Sequence, residues 1–130
     1  MARRKSRTLT ELELQIMRIV WQKKEIFVTD LQKLLKKGGK NLAQPSIRTM
    51  LGILEEKGYV KRRHLGRGFA YRAAVSEEKA QKNILKDIVN RAFDGSAWGL
   101  VAALVRSQMV SKKDIDEIKR LIRERDKEQS

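Results

Sequence analysis

The sequence predicts a mainly α-helical protein with one small β-hairpin, and two observations carry that class. Apolar residues recur at spacings of three and four in six windows, most of them bounded by helix start and stop signals. Between the third and fourth windows the pattern changes to two short runs around Leu65-Gly-Arg-Gly68, a connector of hairpin length. A chain of 130 residues, 41% hydrophobic and 35% charged, suits one domain or two small lobes sharing a core. Eight glycines and one proline argue against long disordered linkers.

Taken in order, residues 1–8 form a basic arm with Arg3, Arg4, Lys5 and Arg7 and little to pack. Thr10 and Glu13 are spaced as a capping box, with Leu9 and Leu14 as a hydrophobic staple. The helix they open carries Leu12, Ile16, Met17, Val20 and Trp21 as one stripe, and Lys23 and Lys24 suit its C-terminus. Trp21 reads as core. Ile26 to Val28 is a short extended piece. A second helix over roughly 29–37, or starting a residue or two earlier, carries Leu31, Leu34 and Leu35, with Thr29 and Gln32 spaced as another capping box, and Lys36-Lys37-Gly38-Gly39 ends it. A third helix, about 44–57, starts at Pro45 and stops at Gly58; it buries Ile47, Leu51 and Leu54 and leaves Ser46, Arg48, Thr49 and Gly52 on other faces.

Tyr59 to His64 and Phe69 to Ala74 then read as hairpin strands. Ser76, followed by Glu77 and Glu78, caps a fourth helix to about Phe93, with Ala80, Ile84, Leu85, Ile88, Val89 and Ala92 in register. Asp94-Gly95 breaks it. Ser96 caps a fifth helix through about Ser107, carrying Leu100, Val101, Leu104 and Val105. Ser111 and Asp114 open a sixth through about Lys127, lined by Ile115, Ile118 and Ile122 and widened by Leu121.

The formal charge of +14 is unevenly placed. Residues 1–75 hold 18 Lys and Arg against 6 Asp and Glu, whereas residues 76–130 hold 12 against 10. A polyanion-binding first half joined to a second half with another task follows from this asymmetry. Three helices followed by a hairpin spell a winged helix-turn-helix over residues 1–75. Its third helix would enter the major groove, with Arg62, Arg63, Arg67 and Arg72 on or near the wing facing phosphates.

Residues 76–130 read as a helical dimerisation domain. Three amphipathic helices in 55 residues cannot each cover an apolar face without a partner surface, and a homodimer interface through Ile84, Ile88, Leu100, Leu104, Ile115, Ile118 and Ile122 is the economical solution, with an intramolecular helical cap as the alternative. A dimer also matches a palindromic site with two reading heads.

Other classes find little support. Without cysteine there are no disulfides, thiolate metal sites or cysteine nucleophiles, and His64 is the one imidazole. No metal site and no cofactor are expected, and the absence of a phosphate cradle or a paired nucleophile and base argues against an enzyme. No apolar run approaches a membrane span and no secretory signal opens the chain, so a cytoplasmic location is expected. The competing reading is a sequence-indifferent architectural DNA-binding protein.

Leu9-Thr-Glu-Leu-Glu13 leading to Ile19-Val-Trp21, then Ile47-Arg-Thr49, Leu54-Glu-Glu-Lys-Gly58, Gly66-Arg-Gly-Phe-Ala-Tyr-Arg72, Val75-Ser76 and Phe93-Asp-Gly-Ser96 together resemble the penicillinase-repressor family, which includes the methicillin-resistance and copper-transport repressors. The resemblance runs from Leu9 to about Leu121. It implies a homodimeric transcriptional repressor of an operator in double-stranded DNA, with base-reading positions on Pro45, Ser46, Arg48 and Thr49. A lysine often stands where this chain has Pro45. Arg48 can contact guanine with two hydrogen bonds, and Thr49 can offer its methyl to thymine or its hydroxyl to a phosphate. Copper-binding members end in a cysteine-rich hook, which this chain lacks. Antibiotic-responsive members are inactivated by cleavage of an Asn-Phe bond; the corresponding bond here is Ala103-Leu104, so a regulatory protease is a partner only with another specificity.

Overall fold

The structure, a computed structural model, describes residues 8–129, and the basic arm expected over residues 1–8 lies outside them apart from Thr8. The described elements run α1 (Glu11–Gln22), β1 (Ile26–Phe27), α2 (Val28–Lys37), α3 (Gln44–Glu56), β2 (Val60–Leu65), β3 (Gly68–Ala73), α4 (Glu77–Ala92), α5 (Ala97–Arg106) and α6 (Lys112–Gln129). They form two compact units, one up to Lys86 and one from Asp87 onward, so the division falls inside α4.

The first unit is a winged helix. Ile16, Met17 and Val20 of α1, Leu31 and Leu35 of α2, and Ile47, Leu51 and Leu54 of α3 close over Ile26, Val60 and Tyr71 of the sheet. Each of these aliphatic side chains stabilises the fold by about 1.5–3 kcal/mol on burial. Ala80 of α4 joins the same core. Trp21 is half-buried against it, and its indole N–H donates to the Val75 carbonyl at 2.9 Å, tying α1 to the segment that follows the wing.

The box at Thr10 forms as read: the Glu13 amide donates to Thr10 Oγ1 at 3.2 Å, and the Thr10 amide to Glu13 Oε1 at 2.8 Å. Glu13 has a second task. It is 1% exposed, and Lys57, just after α3, donates through Nζ to Glu13 Oε1 at 2.7 Å and to the Thr8 carbonyl at 3.0 Å. Burial alone would raise the pKa of this carboxyl, but the Lys57 hydrogen bond, the Thr10 bonds and the Lys57 charge together lower it.

The second capping box does not form. α2 starts at Val28, directly from β1, with Phe27 at the N-cap and no side-chain cap bond. The Gln32 amide is drawn instead to the turn beyond α2, where its Nε2 donates to the Leu42 carbonyl at 2.9 Å. The start of α2 is set by pairing of β1 with β3, Ile26 opposite Tyr71 and Phe27 opposite Ala70.

α3 ends in a complete Schellman motif. The Tyr59 amide donates to Leu54 O at 2.9 Å and the Gly58 amide to Glu55 O at 3.0 Å, with Gly58 at φ +85°. Because Tyr59 belongs to this helix stop, β2 begins one residue later than the sequence suggests. The strands also reach further toward the tip, Leu65 pairing with Gly68, so the loop is only Gly66-Arg67. Gly66 sits at φ +64°, as the first position of a II′-type turn requires. The sheet order is β1-β3-β2.

In the second unit, the Ser96 hydroxyl caps α5 by accepting the Gly99 amide at 2.9 Å. Ser111 and Asp114 form the expected reciprocal box at the start of α6, both bonds 3.0 Å. α5 closes on a Schellman motif with Gln108 in the left-handed region at φ +58°. Among these helices only Ala102 of α5 is buried, and α6 buries no residue.

Candidate nucleic-acid interface

Ser46, Arg48 and Thr49 are exposed on the first turns of α3, while Ile47 and Leu51 point into the core. No side chain caps the helix start, and Pro45, exposed beside Ser46, offers no backbone donor. The Thr49 hydroxyl donates to the Pro45 carbonyl at 3.0 Å. Its hydrogen is thereby occupied within the helix. Arg48 Nη2 donates to Gln44 Oε1 at 3.1 Å, one turn back.

The wing sorts its basic residues onto two faces, because residues directly opposite in an antiparallel pair share a face and neighbours along a strand alternate. Arg62 pairs with Tyr71 and His64 with Phe69, so these share the face turned to α3. There the Arg62 guanidinium lies 4.4 Å from the Phe69 ring centroid and 3.5 Å from Glu55 Oε2 of α3. The His64 ring meets Phe69 edge-on at 5.0 Å. Between α3 and the wing lies an open cleft of about 450 Å³, lined by Arg48, Gly52 and Glu55 on one side and by Arg62, Arg67 and Phe69 on the other. Arg67 reaches it from the loop tip.

Arg63 and Arg72 occupy the opposite face with Lys61. Arg63 is engaged there by Glu25, from the loop after α1: Nε and Nη2 each meet a carboxylate oxygen at 2.6 Å. The Arg63 hydrogen bond, opposed by burial and helped by the charges of Arg63 and Arg72, holds the Glu25 carboxyl below its ordinary pKa. The same pairing raises that of Arg63. Of the four wing arginines read from the sequence, two therefore join Arg48 at the cleft and two do not.

The sequence gives no role to Glu25 or Gln44 and casts Gln32 only as a helix cap. The Gln44 bond to Arg48 has helical i, i+4 spacing and was accessible in principle. Glu25 and Arg63 are 38 positions apart, and no local pattern links them.

Of the residues assigned to a subunit interface, Ile84, Leu100, Leu104 and Ile115 are half-buried, and Ile88, Ile118 and Ile122 are exposed. Trp98, at 74%, and Leu121, at 66%, are more exposed still. Among the described residues no group of His, Asp or Glu is placed to hold a metal ion, and no helix is long and apolar enough to cross a membrane.

The family model described as penicillinase repressor matches residues 9–124. An "uncharacterized 16.5 kDa protein in ptsI 3′region" of Latilactobacillus sakei is 30% identical over 88% of this chain and 77% of its own length. The methicillin resistance regulatory protein MecI of Staphylococcus aureus (strain N315) is 24% identical over 91% of this chain and 95% of its own. Among solved structures, the DNA-binding domain of the repressor BlaI superposes with a TM-score of 0.51 at 27% identity, covering 59% of this chain and 93% of that domain.

Proposed function

Because the chain belongs to the penicillinase repressor family, we propose that it is a homodimeric transcriptional repressor, working in the cytoplasm, that reads a palindromic DNA operator with α3. The observation that carries this reading is the convergence of Arg48 on α3 with Arg62 and Arg67 of the wing on one open cleft, a surface with donors for base edges on one wall and for phosphates on the other. Arg48 has the fork geometry for the O6 and N7 acceptors of guanine. Thr49, with its hydroxyl turned back to Pro45, presents its methyl, which suits thymine. Ser46 keeps a free rotor for a base or phosphate acceptor. Pro45 contributes shape and a fixed helix entry but no hydrogen bond.

On the wing, Arg67 and Arg62 are the phosphate contacts. Arg63 is a brace, since Glu25 takes two of its donors, and Arg72 beside it adds only to the general positive field. The interface residues of α4, α5 and α6 would be covered by a second copy, which supports the dimer in physical terms: exposed aliphatic side chains on three helices are costly in water. Release by a regulatory protease at Ala103-Leu104 would require local opening, because that bond lies within α5.

Selection of bound duplexes from a random pool with the purified chain tests the reading. A palindromic consensus is expected. Binding without any consensus would replace it with the architectural one.

A further inference from the structure

We propose that Gln32, on a helix that carries none of the expected base contacts, is a specificity-determining positioning residue which aims the Arg48 guanidinium through Gln44. The inference rests on the reading of α3 as the base-reading helix.

Three hydrogen bonds run in series from the turn between α2 and α3 to the exposed face of α3. Gln32 Nε2 donates to the Leu42 carbonyl at 2.9 Å, Gln44 Nε2 donates to Gln32 Oε1 at 3.2 Å, and Arg48 Nη2 donates to Gln44 Oε1 at 3.1 Å. The two ends fix the direction of the whole series. A backbone carbonyl can only accept, so the Gln32 NH₂ must face Leu42 and its oxygen must face Gln44. A guanidinium can only donate, so the Gln44 oxygen must face Arg48 and its NH₂ must face Gln32. Turning either amide over would set acceptor against acceptor or donor against donor. Both glutamines are half-buried, where such mismatches are costly.

The series leaves Arg48 with four of its five donors for DNA. It also orders a long side chain before any base is met, which lessens the rotamer freedom lost on binding. Neutral amides suit this task better than a carboxylate would, since they orient the guanidinium without cancelling the charge that attracts DNA.

The test uses the full chain, a duplex that it selects from a random pool, and the single base-pair variants of that duplex. Arg48→Ala first identifies the base pair that Arg48 reads. Gln32→Met keeps length and removes both polar ends; it is expected to lower discrimination at that base pair roughly 3- to 10-fold, with affinity for random duplex unchanged. Gln44→Met is expected to act alike, and neither change to add anything in an Arg48→Ala background. If both methionine variants keep full discrimination while Arg48→Ala loses it, the relay is wrong and α3 still reads bases. If Arg48→Ala itself loses none, the relay and the reading beneath it both fall. A Gln32→Met loss that persists in the Arg48→Ala background, or that spreads evenly over all base pairs, overturns the relay in favour of a purely structural role.

Discussion

Lys57 brings its ammonium to a carboxylate that is 1% exposed, and removing it strands that charge. Lys57→Met should therefore cost about 3 kcal/mol or more, as breaking a buried ion pair from one side does. The double variant Glu13→Gln, Lys57→Met should recover much of this, and urea midpoints on the parent, Glu13→Gln, Lys57→Met and the double variant check it. The pH dependence has a definite sign. Glu13 has a folded pKa below its ordinary 4.5, so its contribution is present above that value and is lost as pH falls through the lower folded value. In Lys57→Met the loss over the same acid range should be shallower. On the DNA side, Arg67→Ala should reduce the slope of log affinity against log salt by about 0.9 for each protomer bound, one phosphate contact per wing. The reduction should be equal on selected and random duplexes, because phosphates carry no sequence.

At this scale the sequence is legible wherever a residue's partner is near in the chain. Thr10 and Glu13 announce their box, and Ser111 and Asp114 theirs. The same spacing at Thr29 and Gln32 misleads, because a glutamine amide can be claimed by a distant carbonyl, and Leu42 claims it. Arg63 reads as one more wing cation until Glu25 is brought beside it. What decides these cases is competition between local and long-range partners, and periodicity holds no record of the latter.

Among the elements, α3 carries one glycine inside it and is closed by another beyond its end, and their substitution by alanine should have opposite signs. Gly58 lies at φ +85° and closes the Schellman motif, so Gly58→Ala should destabilise by about 1 kcal/mol or more. Gly52 lies inside the helix with no atom within 4 Å of an added Cβ, so Gly52→Ala should stabilise by up to about 1 kcal/mol. That methyl would stand in the cleft between α3 and the wing, so its gain in stability should come with weaker DNA binding. Thermal melts and a binding titration on both variants separate the two effects. The helix stops are the most readable feature of the sequence: glycine after Lys36-Lys37 and after Glu-Glu-Lys57 marks them to within a residue. β1 is less readable. An extended piece at Ile26 is visible in the sequence, but its pairing with Tyr71, 45 positions on, is a tertiary event.

For the whole molecule, the proposed dimer makes a prediction that the monomer does not. Ile122, 52% exposed on α6, tolerates a charge in a monomer but not in an apolar interface. Ile122→Glu should shift the chain to monomer in sedimentation equilibrium and weaken binding to a full palindrome on the order of 100-fold, while leaving half-site affinity intact. An unchanged mass would place the interface elsewhere.

The two residue pairs that join β1 to β3 bear on how such a protein would judge DNA it does not touch. The wing hangs from the same short strand that runs without a linker into α2, and α2 packs on α3. In the proposed complex the wing tip and α3 would thus face the duplex as the two jaws of a calliper. A duplex would then have to fit that opening, and base pairs lying between the jaws would be judged by how readily they bend or narrow a groove. A binding site for this chain would be recognised partly by its stiffness, in positions where no side chain reaches.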